Sequence, residues 1–325
     1  MAFCDTRAMR ALLFVPGSDE RKTVKAWSYG SDMTVVDLED AVAVDQKSAA
    51  RERACMAISS FGHDSVAAAR VNPVGSTWFD DDIAAVVMPE LDAIVVPKVE
   101  SVEALQAADA LVAAAERAAG LSTGVVRMLI TIETPLGLAR CERILEQAPR
   151  RTYTAVFGSA DLSAALGVDL TADAAEILYA RSRIVVATRA AGFAAPIDGA
   201  WLNLDDIQGL ETDSARSRQL GFQGRVSLHP KQLDPIQLSY AGLDQHEEAR
   251  IRRIVDAFEA AEKGGVASIR VDGRFVDYPV YRLAKERINR HDSLRKSALE
   301  NRVLPGCRVS DHNEGRTERL ADERQ

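Results

Sequence analysis

The chain has 325 residues, 47% of them hydrophobic and 27% charged, the balance of an ordinary globular protein. Lys and Arg total 40 against 48 Asp and Glu; a net charge of −8 without a dominant basic stripe argues against a nucleic-acid binder, yet leaves room for a local basic pocket. Four scattered cysteines with no CxxC pair, Cys4, Cys55, Cys141 and Cys307, argue against a disulfide framework and a zinc site and fit a reducing compartment.

In chain order, the opening MAFCDTRAMRALLFVPG carries no long apolar segment ahead of its first strand-like run, so no signal peptide is expected. No later run is long and apolar enough to predict a membrane span, and the expected location is cytoplasmic. Eight short apolar runs predict strands: ALLFVPG (11–17), MTVVDLED (33–40), VAAARVN (66–72), AIVVPKV (93–99), RMLITIET (127–134), TAVFGSADL (154–162), APIDGAWL (195–202) and RVSLHP (225–230). Each is continuous rather than alternating, as strands buried on both faces of a parallel sheet read. Helix-period segments lie between them; 101–120 starts near Ser101 and Glu103 and stops at Gly120, and 173–192 closes on Gly192. This alternation predicts an α/β (β/α)8 TIM barrel, whereas a doubly wound sheet would need fewer strands and a GxGxxG after the first. Past the eighth strand, 247–265 predicts a charged helix. A hairpin turning at Asp272-Gly273 and a short helix from Pro279 follow, and the polar, weakly periodic tail from about Asp292 is read as mobile.

Barrel chemistry gathers at the carboxyl ends of the strands. There the second run ends in Asp37, Glu39 and Asp40, the third in Arg70 and Asn72, and the fourth in Lys98 and Glu100. The fifth ends in Glu133 and Thr134, the sixth in Ser159 and Asp161, and the eighth in His229. Glu133 and Asp161 come from neighbouring strands, and two close carboxylates repel unless one protonates or a cation joins them. Hard oxygen donors suit Mg²⁺, with Mn²⁺ as the alternative, better than zinc. Taken singly, each carboxylate could instead cap a helix or pair with Arg70 or Lys98. Arg70 offers a planar fork for a carboxylate or oxyanion, or else a salt bridge to Glu39 or Asp40. Strand alternation places Asp37 and Glu39 on one face and Asp40 on the other. His229, before a proline, reads as a structural hydrogen-bonder; His63, His246, His291 and His312 sit in surface-like contexts, and no serine has an evident histidine partner.

RALLFVPGSDER, VVDLEDAVAVDQKSAAR, ARVNP, VVPKVES, ITIETPLGL, FGSADLSAALG and SLHPKQLDPI occur in that order over about residues 10–290. Together they resemble the HpcH/HpaI aldolase and citrate lyase superfamily, in its branch of citrate lyase β-subunit-like acyl-CoA lyases. The resemblance implies that Glu133 and Asp161 bind Mg²⁺ and that Arg70 holds a carbonyl or carboxylate oxygen. It also implies that Glu39 and Asp40 lie near the metal waters, and that Asp277, in GRFVDYP, is an acid–base residue delivered from a neighbouring subunit of a homotrimer or hexamer. Residues 1–245 are then the catalytic barrel, 246–291 a lid and oligomerisation extension, and 292–325 the tail. Ala160, before the metal aspartate, and the run PLGLAR depart from the family pattern without removing a ligand, and leave substrate identity open.

The reaction so implied is Mg²⁺-dependent retro-Claisen cleavage of a 3-hydroxyacyl-CoA such as malyl-CoA or citramalyl-CoA, giving an acyl-CoA and a 2-oxo acid. Arg21, Lys22, Lys25 and Lys47 are candidate cations for the CoA phosphates, with Lys22 and Lys47 taken as substrate-binding. Rival readings are a malyl-CoA or citryl-CoA thioesterase, an aldolase on free hydroxy-oxo acids, and a non-catalytic subunit. Neither nucleic acid nor membrane is an expected partner.

Overall fold

A computed structural model describes residues 9–62 and 65–303; Cys4, His63, Cys307, His312 and the rest of the tail beyond Val303 lie outside the described residues. Eight strands, β1 (Ala11–Pro16), β2 (Met33–Asp37), β3 (Val66–Arg70), β4 (Ala93–Val96), β5 (Arg127–Ile132), β6 (Thr152–Phe157), β7 (Ile197–Asp198) and β8 (Gly224–Ser227), run parallel and close into a barrel through β8 and β1. A separate antiparallel hairpin joins β9 (Ile269–Val271) to β10 (Arg274–Val276).

The helices are α1 (Glu20–Lys25), α2 (Lys47–Phe61), α3 (Phe79–Val86), α4 (Val102–Ala118), α5 (Pro135–Ala139) and α6 (Cys141–Glu146). They continue with α7 (Ser159–Leu166), α8 (Leu178–Ala190), α9 (Ile207–Leu220), α10 (Leu233–Ser239), α11 (Gln245–Lys263) and α12 (Tyr278–Val303). Among the described residues, no helix is long and apolar enough to cross a membrane.

The expected barrel is the observed one, and the reason for its continuous apolar runs is visible residue by residue. Val66 and Ala68 of β3 and Ala93 and Val95 of β4 fill the barrel lumen with Leu12, Met33, Val35, Leu129 and Val156. The intervening Ala67, Ala69, Ile94 and Val96 belong to the larger core that includes Ile58, Ile83, Leu105 and Val112 of the helices. Both faces of these two strands are dry, so both are lined by apolar residues. Ser101 caps α4 by accepting from the Ala104 N–H at 3.1 Å, and Gly120 beyond its end takes φ +71°, where a side chain would be strained.

The chain divides between Ala241 and Gly242 into two compact units. In the second, Ile251, Ile254, Phe258, Val276, Ala284 and Ile288 form a small core of their own. Its hairpin turns at Asp272 (φ +50°) and Gly273 (φ +80°), the paired left-handed residues that a two-residue turn requires. The helix after it is not short: α12 runs through Asp292 to Val303, so the first part of the presumed mobile tail is helical. His291 lies on this helix and is buried at 7% exposure, not at the surface, because its Nδ1 accepts the Leu243 N–H at 2.8 Å.

Candidate functional site

The carboxyl end of β5 shows why the chain runs an apolar strand into a glutamate. Thr134 takes over the helix-capping task, its Oγ1 accepting from the Gly137 N–H at 3.0 Å, and Pro135 occupies the first turn of α5, where its missing N–H costs nothing. Glu133 is thereby left free of the helix end. Its Oε1 accepts the Lys98 backbone N–H at 2.7 Å, while a Cβ on Gly158 would come within 2.3 Å of its Oε2. Only glycine lets the β6–α7 turn pass so close, and that turn leads directly to Asp161 in the first turn of α7. Asp161 is thus on the helix and not on the strand, but at the expected rim.

Glu133 is 2% exposed, and its pKa is pushed up to about 8, first by burial and then by the negative charges of Asp161 and Glu39. Glu133 at the end of β5 and Asp161 in the first turn of α7 thus share one electrostatic neighbourhood. Glu39 is equally buried and its pKa is also raised; burial is again the largest cause, and the nearby Arg70 and Lys98 do not offset it.

Arg70 is held from two sides. Asp37 accepts from its Nε at 2.7 Å and its Nη2 at 2.6 Å, a bidentate pair, and Glu39 Oε2 lies 2.9 Å from its Nη1. The guanidinium also stands 5.4 Å from the centroid of the Phe14 ring. Burial opposes its charge, but Asp37, Glu39 and Glu133 overcome that and raise its pKa. The residue that fixes the arginine is therefore chiefly Asp37, which the sequence marks as a strand-end acid but not as part of the site. The β2–β3 register sets Asp37 directly opposite Arg70. Asp37 also accepts the Glu39 and Ala41 N–H groups at 2.9 and 3.2 Å, shaping the loop that carries Glu39 and Asp40.

Lys98 is the second residue of the site that the sequence reading leaves without a role. Its backbone sits at φ +51°, rare for a side chain of this length. Its Nζ donates to Glu39 Oε1 at 2.6 Å and to Asp40 at 3.0 and 3.2 Å. Asp40 itself is exposed, so the second loop does divide its acids, with Asp37 and Glu39 inside and Asp40 outside.

Lys47 corrects the expectation that it is a rim cation. It is buried at 6% exposure, and its ammonium donates at 2.7 Å to each of Leu38 O, Glu39 O and Asn72 Oδ1. Three acceptors use all three N–H bonds and leave none for a phosphate. Lys22 is exposed, with Asp19 3.2 Å from its Nζ, and Arg21 and Lys25 are exposed beside it on α1. His229 caps a turn, its Nδ1 accepting from Lys231 N–H at 3.1 Å, as a structural histidine does. Asp277 follows β10 and is half-buried in the second unit; its carboxylate accepts the Val280 N–H of α12 at a long 3.3 Å.

The rim donor set fits a divalent cation. Glu133 after β5 and Asp161 in the first turn of α7 repel, the former is deeply buried, and both offer the hard oxygens such an ion takes. Among the described residues, three clustered potential ligands occur once, at Glu248, His291 and Asp292 of the second unit. Arg252 already pairs with both of those carboxylates. His291 Nδ1 accepts a backbone N–H, so its Nε2 carries the proton and has no lone pair for a metal.

Known proteins agree with the barrel. The family model for HpcH/HpaI aldolase/citrate lyase matches residues 10–230. The Citrate lyase subunit beta of Escherichia coli K12 is 32% identical over 276 residues, 85% of this chain and 90% of that protein. The (3S)-malyl-CoA thioesterase of Cereibacter sphaeroides is 32% identical over 82% of this chain and 89% of its own. A crystal structure of the CitE protein of Mycobacterium tuberculosis in complex with magnesium, acetoacetate and coenzyme A superposes with a TM-score of 0.68 at 26% identity, covering 88% of this chain and 98% of that one. The chain belongs to the HpcH/HpaI aldolase/citrate lyase family, in its citrate lyase β-subunit-like branch.

Proposed function

We propose that this chain is a Mg²⁺-dependent carbon–carbon lyase. Its substrate is a 3-hydroxyacyl-CoA bearing a further carboxylate, malyl-CoA, citramalyl-CoA or a methylated relative, and its products are an acyl-CoA and a 2-oxo acid. The observation that carries this reading is Glu133, a carboxyl 2% exposed whose second oxygen faces the turn of Asp161 and whose pKa stands at about 8. A buried carboxylate whose neighbouring negative charges outweigh the pull of Arg70 is costly, and a divalent ion would offset that cost. The magnesium and coenzyme A bound by the M. tuberculosis relative, and the citrate lyase assignment of the E. coli relative, support the same chemistry.

Glu133 and Asp161 would hold the ion, which when bound supplies Lewis acidity toward the hydroxyl and carboxylate oxygens of the 2-oxo acid half. Asp37 and Glu39 hold the Arg70 guanidinium through Nε, Nη2 and Nη1, and its remaining N–H bonds are the donors for an enolate or carboxylate oxygen as charge develops. Glu39 and Asp40, tied to Lys98, order the water side of the rim. Asp277 is assigned the proton transfer at the acetyl-type carbon, supplied from a neighbouring subunit of a trimer or hexamer, and its single long hydrogen bond leaves the carboxylate easily released for that work. Lys22, with Arg21 and Lys25, is the cation set offered to the CoA phosphates.

A second reading, thioester hydrolysis, is favoured by the C. sphaeroides relative. Incubation with malyl-CoA and with citramalyl-CoA, with and without Mg²⁺, separates the two. Metal-dependent release of a 2-oxo acid with the acyl-CoA intact is the expected result. Free CoA thiol with the hydroxy acid intact would assign a thioesterase, and turnover of free hydroxy-oxo acids alone would assign an aldolase.

A further inference from the structure

Lys98 meets the rim with two different parts of itself, pointing at two different carboxylates. Its backbone N–H reaches Glu133 Oε1 at 2.7 Å, and its ammonium reaches Glu39 Oε1 at 2.6 Å and Asp40 Oδ2 at 3.0 Å. The N–H points at Glu133 while the residue sits at φ +51°, a conformation that glycine and asparagine adopt readily and β-branched residues resist. Strain of this kind persists where surrounding structure enforces it, and here the amide it turns is the one that meets buried Glu133.

We propose that Lys98 is a positioning residue that sorts the rim carboxylates: its left-handed backbone amide fixes one oxygen of Glu133 so that the other is presented to a divalent cation, while its ammonium retains Glu39 and Asp40 as ion-pair partners and withholds them from that cation. The inference rests on the reading of Glu133 and Asp161 as the cation's ligands. The two functions make opposite demands on substitution, which distinguishes them from a general contribution to folding. Without the ammonium, Glu39 and Asp40 lose a counter-charge and add negative potential at the rim, so cation affinity holds or rises while the arrangement of Arg70, which shares Glu39, is disturbed. Without the left-handed backbone, the N–H turns away from Glu133 and cation affinity falls.

The test is Mn²⁺ binding by electron paramagnetic resonance, in parallel with Mg²⁺-dependent turnover, on the full chain and its Lys98→Gly, Lys98→Asn and Lys98→Val variants. Lys98→Gly and Lys98→Asn keep the N–H and tolerate the positive φ. They are expected to bind Mn²⁺ at least as tightly as the wild type while losing about 10–100-fold in activity. Lys98→Val is expected to bind Mn²⁺ about 10–100-fold more weakly. Loss of Mn²⁺ affinity in all three, or in none, overturns the sorting role while leaving the metal reading standing. If the wild type binds no Mn²⁺, or Glu133→Gln binds it as well as the wild type, the metal reading falls and the sorting role falls with it. Lys98→Gly keeps the test decisive should the valine variant fail to fold.

Discussion

Around β7 and β8, Arg181 and Arg225 meet Asp198 and Asp213, each of these four at most 3% exposed, with the half-buried Arg216 3.8 Å from Asp213 at the edge. Gly199 O and Ser214 Oγ accept remaining guanidinium N–H bonds of Arg225. Burial would raise the Asp213 pKa, but hydrogen bonds from Arg181 and the charge of Arg225 carry it down to about 2. At the rim, Glu39 and Glu133 lie among Asp37, Asp40, Asp161, Arg70 and Lys98, and both of these carboxyls are shifted upward instead. Burial and neighbouring negative charges outweigh Arg70 and Lys98 there, so the rim carboxyls are not satisfied by the cations beside them. A balanced network spends its charges on itself; an unbalanced one is poised for a ligand. The same acids and bases thus make structure in one place and a site in the other.

The comparison breaks most sharply in the balanced network. Asp213→Ala leaves two buried guanidinium groups to share Asp198 and should cost about 3–5 kcal/mol of stability, read as a lowered denaturation midpoint. Normal stability in that variant would mean that the network is not the tightly coupled unit described. At the rim, Glu133→Ala should cut metal-dependent turnover by ~10²–10³-fold. It should leave the denaturation midpoint unchanged or raised, since it removes a charge that repels its neighbours; a large loss of stability would place Glu133 with the balanced class.

A smaller effect concerns pH. The folded pKa of Asp213 lies below its unfolded value of about 3.8, so its contribution of about 2 kcal/mol is present above pH 4 and disappears as pH falls toward 2. Asp213→Asn should flatten the stability profile across that window and nowhere above it, as acid titration followed by circular dichroism would reveal. Smaller still is the activity regained on mixing Asp277→Ala with Arg70→Ala chains. Partial recovery is expected if sites draw residues from two chains, and none in demonstrably mixed oligomers would remove Asp277 from the shared site.

The strands were legible because burial on both faces leaves no alternation to misread, and Glu133 because a lone charge closing such a run has few innocent explanations. Other features left no such mark. β7 covers only Ile197–Asp198, not 195–202, since Ala200 and Trp201 are apolar for loop packing and period cannot tell that from a strand. Lys47 begins a helix, where lysine ordinarily means solvent, and only the carbonyls of Leu38 and Glu39 brought beside it reveal burial. The clamp of Asp37 on Arg70 depends on register between strands, and the positive φ of Lys98 on a turn with no glycine to announce it. The continuation of α12 past Asp292 escaped notice because a helix with a polar surface has weak periodicity.

The central claim, that Glu133 and Asp161 are the ligands of a divalent cation at the rim, is tested most directly by calorimetric titration of Mg²⁺ into the wild-type chain, Glu133→Gln and Asp161→Asn. One ion per chain in the wild type, with binding lost or weakened by at least an order of magnitude in both variants, is the predicted result. Equal binding by all three proteins would contradict it.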